Sequence, residues 1–279
     1  MLNLQTIHKP TTLAEALQLL HEPDTALMAG GAALISEKRR DVRAVIDLSA
    51  LELSFIETRG DDLVIGATTT LATVADSELA RGMADGVIAQ AAQQTHANIL
   101  RNQASVGGTM IAEPDGIFSV ALCALDTRLT LATLKDSRVE TMNVSLADFF
   151  AQRATRLPNR IITEIMIPAS ARARRARIET VARTPRDQAI VSVCAALEME
   201  RGVVRAAALA LGGAAETAWR AQDAEREILN QALTEEIIRR AALAAANGLN
   251  PRGDFRGSAE YRIEMARVLT ARALRGLRA

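Results

Sequence analysis

A surplus of charge of either sign is missing from this sequence: 33 basic residues meet 33 acidic ones, for a formal net charge of +0. That removes a general electrostatic grip on nucleic acid or on an anionic membrane. Long apolar runs are missing too. None approaches the ~18 residues that span a bilayer, and the alanine-rich stretches are broken by arginine or glutamate. Met1 to Pro10 has no basic segment leading into an apolar core, so no secretory signal is expected. Cysteine is nearly absent. Cys123 and Cys194 are far apart and lack C-x-x-C spacing, which excludes a zinc or iron–sulphur site on this chain and a disulfide framework. A reducing, cytoplasmic setting is expected. Lysine is scarce, with Lys9, Lys38 and Lys135 the only three among 33 basic residues, a bias towards arginine that we read as a coding preference. G-x-G-x-x-G and G-x-x-x-x-G-K-S/T do not occur, so a standard Rossmann fingerprint and a P-loop are excluded. No Ser/His/Asp set or carboxylate pair stands out. His8, His21 and His96 are isolated and read as surface or satisfied histidines.

What is present is an ordinary globular composition, 49% hydrophobic and 24% charged over 279 residues, enough for roughly two domains. The pattern predicts a strand near Leu2–Ile7 and a helix opened by Thr12 and Glu15 at capping-box spacing. Strands at Thr25–Met28 and Val42–Leu48 follow. A hairpin over Phe55–Gly66 turns at Gly60-Asp61. Helices are expected from Thr70, from Met83 to Thr95 and from Ile117 to Leu125, with a loop over Asn98–Thr109. Strands Arg128–Leu134 and Ile161–Ile167 complete the first part. The run Ala171–Arg177 reads as a basic, solvated connector. Beyond it, Ile190–Glu200 and Val203–Leu211 form a long hairpin, and helices Thr234–Asn247 and Ser258–Leu277 close the chain. The fold class is therefore α+β, with a first domain over 1–172 and a smaller sheet-plus-helices domain over 173–279.

Three Gly-Gly pairs carry the chemistry that is legible. A diphosphate is met by successive backbone N–H groups unobstructed by side chains, helped by the positive end of a following helix. Gly30-Gly31 lies between a strand and a short helix starting at Ala32. Ser105-Val106-Gly107-Gly108-Thr109 has hydroxyls on both sides and an apolar helix soon after. Gly212-Gly213 merely ends a strand.

On these segments the sequence resembles the FAD-binding (medium) subunit of the molybdenum hydroxylases, the family of carbon monoxide dehydrogenase and xanthine dehydrogenase. Ala29-Gly30-Gly31-Ala32-Ala33-Leu34 is similar to the family's A-G-G-x-x-L loop. Arg101–Thr109 is similar to its second loop, and Leu63–Thr70, Ile161–Pro168, Arg183–Ala189 and Asp254–Arg262 extend the likeness along the chain in the same order. The resemblance implies a two-part FAD-binding domain of the vanillyl-alcohol-oxidase type, followed by the family's C-terminal domain. It implies one non-covalent FAD, with Ala29, Gly30, Gly31, Ala32, Ala33, Ser105, Val106, Gly107, Gly108 and Thr109 around the diphosphate. Ile161 and Ile162 would lie near the isoalloxazine ring, Asp187 near its polar edge, and Asp115 would stand for the family's acid in a segment about one residue short. Ala32 and Ala33 replace residues with polar side chains, and Thr109 stands where asparagine is common. The molybdenum cofactor and 2Fe-2S clusters would belong to a large and a small partner subunit, and electrons would leave to NAD, a quinone or oxygen. No residue of this chain need be catalytic. The alternatives are a flavin-less subunit that keeps the fold as a scaffold, and a stand-alone flavin oxidoreductase.

Overall fold

The computed structural model describes residues 4–37, 39–184 and 187–278. Three sheets organise them. The first is small and parallel, built from β1 (Thr6–His8), β2 (Thr25–Met28) and β3 (Ala44–Asp47) in the order β1-β3-β2. The expected strand near Leu2–Ile7 is seen from Thr6, after Leu4 and Gln5; Leu2 lies outside the described residues. Helix α1 (Leu13–Leu19) follows β1. The Thr12 hydroxyl accepts the Glu15 amide at 3.2 Å, while Glu15 Oε2 accepts the Thr11 amide at 3.2 Å. Helix α2 (Ala32–Glu37) follows β2.

The second sheet is antiparallel, ordered β4-β5-β8-β6-β7, from β4 (Ile56–Arg59), β5 (Asp62–Gly66), β6 (Arg128–Lys135), β7 (Arg138–Ser145) and β8 (Ile161–Ile167). One face carries Ala132 and Ile161 against Ala16, Leu17 and Ile46, which ties the parallel sheet and α1 to it. Its other face, with Leu129, Leu131, Ile162 and Ile165, is covered by helices between β5 and β6. These are α3 (Leu71–Asp76), α4 (Glu78–Arg81), α5 (Val87–Gln94), α6 (Asn98–Arg101), α7 (Val106–Ala112) and α8 (Ile117–Ala124), with α9 (Leu146–Ala151) and α10 (Arg153–Arg156) after β7.

Two expectations fail here. The helix over Met83–Thr95 is split, because Ala84 and Asp85 take φ of 45° and 55° and the regular helix begins only at Val87. The loop over Asn98–Thr109 contains α6 and the first turn of α7, because Ser105 caps the latter by accepting the Gly108 amide at 3.2 Å.

The third sheet, β12-β11-β10-β9, comprises β9 (Arg175–Val181), β10 (Val191–Glu200), β11 (Val203–Gly212) and β12 (Trp219–Arg220). Strand β10 is buried on both faces. Val191, Val193, Ala195 and Leu197 meet α11 (Gln222–Ile228), α12 (Glu235–Ala244) and α13 (Ala259–Leu277), whereas Cys194 and Ala196 join the core of the FAD-type part. Small side chains on that second face let the α8 layer approach closely. The basic run is no solvated linker: from Arg175 it is a strand, and Arg174, 9% exposed, donates to Asp126 Oδ2 at 2.7 Å. Asp126 Oδ1 also accepts from Arg220 at 2.6 Å, so a single carboxylate ties the two halves together.

Candidate cofactor site

The N-terminal residues of the chain build one wall of a cavity. Strand β2 delivers the chain to Ala29, Gly30 and Gly31, and α2 leaves from Ala32. The first intrahelical bond of α2 runs from the Ile35 amide to the Gly31 carbonyl at 3.1 Å. The amides of Ala32, Ala33 and Leu34 therefore have no acceptor within the helix and form the electropositive end of a short dipole. Gly31 has φ of +75°, where a Cβ is disfavoured.

The second wall is held by the strand end at Gly66. Leu71 N–H donates to Ala104 O at 2.9 Å, Val106 N–H to Thr69 O at 2.9 Å and Gly107 N–H to Ala67 O at 2.9 Å. These bonds fix Ala104–Gly107 against the Ala67–Leu71 segment, the stretch before the second loop on which the resemblance also drew. The two walls then touch. A Cβ on Gly30 would stand 1.5 Å from the carbonyl oxygen of Gln103, so only glycine allows the approach.

Between them lies a cavity of about 390 Å³, within the usual range for a small-molecule site. Ala29, Gly30, Gly31, Ala32, Ala33, Ser105, Gly108 and Thr109 all line it. Val106 and Gly107 do not; Val106 is buried behind the wall and Gly107 packs on Ala67. The second loop also differs from expectation in its amides. All four amides are engaged: Val106 and Gly107 donate to the Thr69 and Ala67 carbonyls, and Gly108 and Thr109 to Ser105 Oγ and O at the start of the capped helix. What that wall offers instead is a hydroxyl. Thr109 is 4% exposed, and its Oγ1 is buried without a hydrogen-bond partner among the described residues.

Four sequence-derived candidates lie away from this cavity. Ile161 and Ile162 point to opposite faces of the second sheet, one into each core, as successive strand residues must. They cannot both present side chains to one ring. Asp115 lines a separate cavity of about 480 Å³ with Arg256, Arg262 and Trp219. Burial pushes its carboxyl above the ordinary range, against the opposing pull of the two arginines. Asp187 stands 3.4 Å from the Arg183 guanidinium. Its neighbours Pro185 and Arg186 lie outside the described residues.

The cavity is also lined by residues outside the predicted set. His96, Leu100, Gln103 and Glu113 line it. His96 is held by a turn with φ of 60° and lies 3.5 Å from Glu113, and no spacing rule joins a residue between α5 and α6 to one just after α7.

Residues 2–170 match the family described as the FAD binding domain in molybdopterin dehydrogenase, and residues 176–277 match the CO dehydrogenase flavoprotein C-terminal domain. The chain belongs to this family of FAD-binding oxidoreductase subunits. It is 28% identical to the glyceraldehyde dehydrogenase medium chain of Sulfolobus acidocaldarius, over 95% of each chain. Among solved structures it resembles a chain of carbon monoxide dehydrogenase from Hydrogenophaga pseudoflava, with a TM-score of 0.90 and 28% identity, covering 99% of this chain and 98% of that one. Quinoline 2-oxidoreductase from Pseudomonas putida 86 matches with a TM-score of 0.86 and 26% identity, over 98% and 96%.

The first wall suits the diphosphate-bearing cofactor of this family. It provides helix-start amides after Gly30, and the opposite wall includes Thr109, whose buried hydroxyl has no partner among the described residues.

Proposed function

We propose that this chain is the FAD-carrying medium subunit of a molybdenum hydroxylase complex, assembled with an iron–sulphur small subunit and a molybdenum-containing large subunit. The observation that carries the reading is the convergence of Gly30-Gly31 and Ser105–Thr109 on one cavity. Residues Ala29 to Ala33 hold the diphosphate through backbone N–H groups, and Ser105, Gly108 and Thr109 form the facing wall. Val106 and Gly107 shape that wall from behind. By resemblance Asp187 and one of Ile161 and Ile162 belong to the ring end of the cofactor and Asp115 stands for the family's acid, and none of these four lines the cavity assigned to the diphosphate.

When bound, FAD supplies redox chemistry between electrons arriving from the iron–sulphur subunit and a terminal acceptor such as NAD, a quinone or oxygen. The chain's own task is positional. The Gly30–Gln103 contact closes the cavity wall, the α2 amides meet negative charge, and the Thr109 hydroxyl gains a partner it otherwise lacks. Oxidation of the organic or inorganic substrate belongs to the large subunit.

The complex purified from its native source is expected to show flavin absorption at one FAD per copy of this chain, released intact by mild denaturation. Flavin-free complex of full subunit composition would leave the scaffold reading in its place. Copurification with a cysteine-rich iron–sulphur chain separates the assembly from a stand-alone flavin oxidoreductase.

A further inference from the structure

Among the side chains lining the cofactor cavity, only His96 and Glu113 are ionisable; no arginine or lysine reaches it among the described residues. The two stand at ion-pair distance, 3.5 Å from Nε2 to Oε1, on a wall that is rigid at both points. His96 has φ of 60°, uncommon for a residue with a Cβ, and its carbonyl accepts from Arg101 Nη1 at 2.6 Å. The same Arg101 nitrogen reaches Gln93 O at 2.7 Å, so it clamps the turn between α5 and α6. Glu113 ends α7, its amide donating to Thr109 O at 2.8 Å and its carbonyl accepting the buried Ser119 hydroxyl at 2.8 Å.

Charge then becomes the question. A cavity for a dianion that also holds a carboxylate repels its ligand unless a cation stands between them. The residues that would meet a diphosphate contribute partial charges only, because Ala32 and Ala33 bring no polar side chain and the amides of residues 106–109 are engaged internally. Resting on the FAD reading above, we propose that His96 is a ligand of the cofactor's diphosphate, with Glu113 as the positioning residue that holds its ring. Nε2 faces the carboxylate, which leaves Nδ1, without a partner among the described residues, as the edge available to a phosphate oxygen. The other charged groups nearby do not substitute for it. Arg101 is turned to backbone carbonyls, and Asp115 adds negative charge near Glu113. Burial pushes the Glu113 carboxyl upward and Asp115 adds to this, while the His96 imidazole pulls it down.

The test is FAD titration into the deflavinated full-length chain at one fixed pH, at low and at high salt. His96→Gln is expected to weaken FAD roughly ten- to hundred-fold at low salt, with the deficit narrowing at high salt as charge is screened. The double variant His96→Gln/Glu113→Gln is expected to bind more tightly than His96→Gln alone, because the unopposed carboxylate is gone. Wild-type affinity in His96→Gln overturns the proposal. So does an equal loss at both salts that the double variant fails to relieve, which marks His96 as a wall residue only. A wild-type chain that takes up no FAD under any condition fails the FAD reading itself.

Discussion

Gly30-Gly31 and Gly107-Gly108 look interchangeable on paper: each pair follows an extended segment and precedes a short helix. In the folded chain they differ in what glycine is needed for. Gly30 permits backbone to meet backbone, since its missing Cβ is replaced by the Gln103 carbonyl, and the amides of Ala32 to Leu34 precede the first intrahelical bond of α2. Gly107 and Gly108 lie within a helix already capped by Ser105, with amides bonded internally and with Ala67 packed 3.2 Å from where a Gly107 Cβ would stand. The first pair exposes donors; the second brings a helix close to a strand end. Gly212-Gly213 shows a third use. It sits at the seam between the two halves, where a Gly212 Cβ would stand 2.1 Å from the Asp115 carbonyl oxygen.

This difference can be attacked by substitution. The largest effect is expected from Gly30→Ala, which must push the two walls apart. FAD content, read by absorbance, should fall below a tenth of wild type, with a stability loss of about 3 kcal/mol from overpacking. Gly212→Ala should cost a similar amount in chemical denaturation while leaving FAD stoichiometry near one, because the strain falls on the seam. If both variants lose flavin alike, the cavity and the seam are one unit and the distinction fails. Thr109→Val comes next. Removing an unpartnered buried hydroxyl at constant shape should leave the apo-protein as stable or slightly more so, yet weaken FAD about tenfold by the loss of one hydrogen bond. A variant that binds FAD as wild type does would show that the hydroxyl faces elsewhere. Gly107→Ala is the mildest. A better helix former offsets slight crowding against Ala67, so stability within about 1 kcal/mol and affinity within about threefold are expected. Loss of flavin there as complete as in Gly30→Ala would erase the contrast between the pairs.

A fifth measurement bears on the seam. Burial pushes the Asp126 carboxyl up, but hydrogen bonds from Arg220 and Arg174 bring it below the ordinary range. A carboxyl lowered in the folded state contributes stability above its unfolded pKa of about 3.9, and that contribution disappears as pH falls through the folded value. Wild type should therefore lose more stability than Asp126→Asn on acidification below about pH 4.

Much of this was legible in the chain. The Gly60 hairpin, the Arg201-Gly202 hairpin with φ of 50° and 79°, and the capping box of Thr12 and Glu15 are local signals, and they hold in the structure. The two loops on which the FAD resemblance rested are the ones that meet at the cavity. What was misread had a common cause. An arginine run reads as solvated because charge usually is, but Arg175 and Ala176 are half-buried in β9 and Arg174 finds a carboxylate from the other half. Strand β7 escaped notice because it is an edge strand exposed along most of its length and lacks an apolar alternation. His96 was judged alone, whereas its significance comes from Glu113.

The amino-acid order by itself determined where strands turn, where the first helix is capped, and which family these patterns resemble. Those follow from backbone sterics, caps and periodicity, all of which act within a few residues. Only the tertiary structure decided that Gly30 touches Gln103, that the Gly107 and Gly108 amides are already engaged, that Ile161 and Ile162 part to opposite cores, and that one histidine faces one glutamate across the cavity wall. Such contacts join distant segments, and their energies depend on burial and on which partner arrives, which no local pattern specifies.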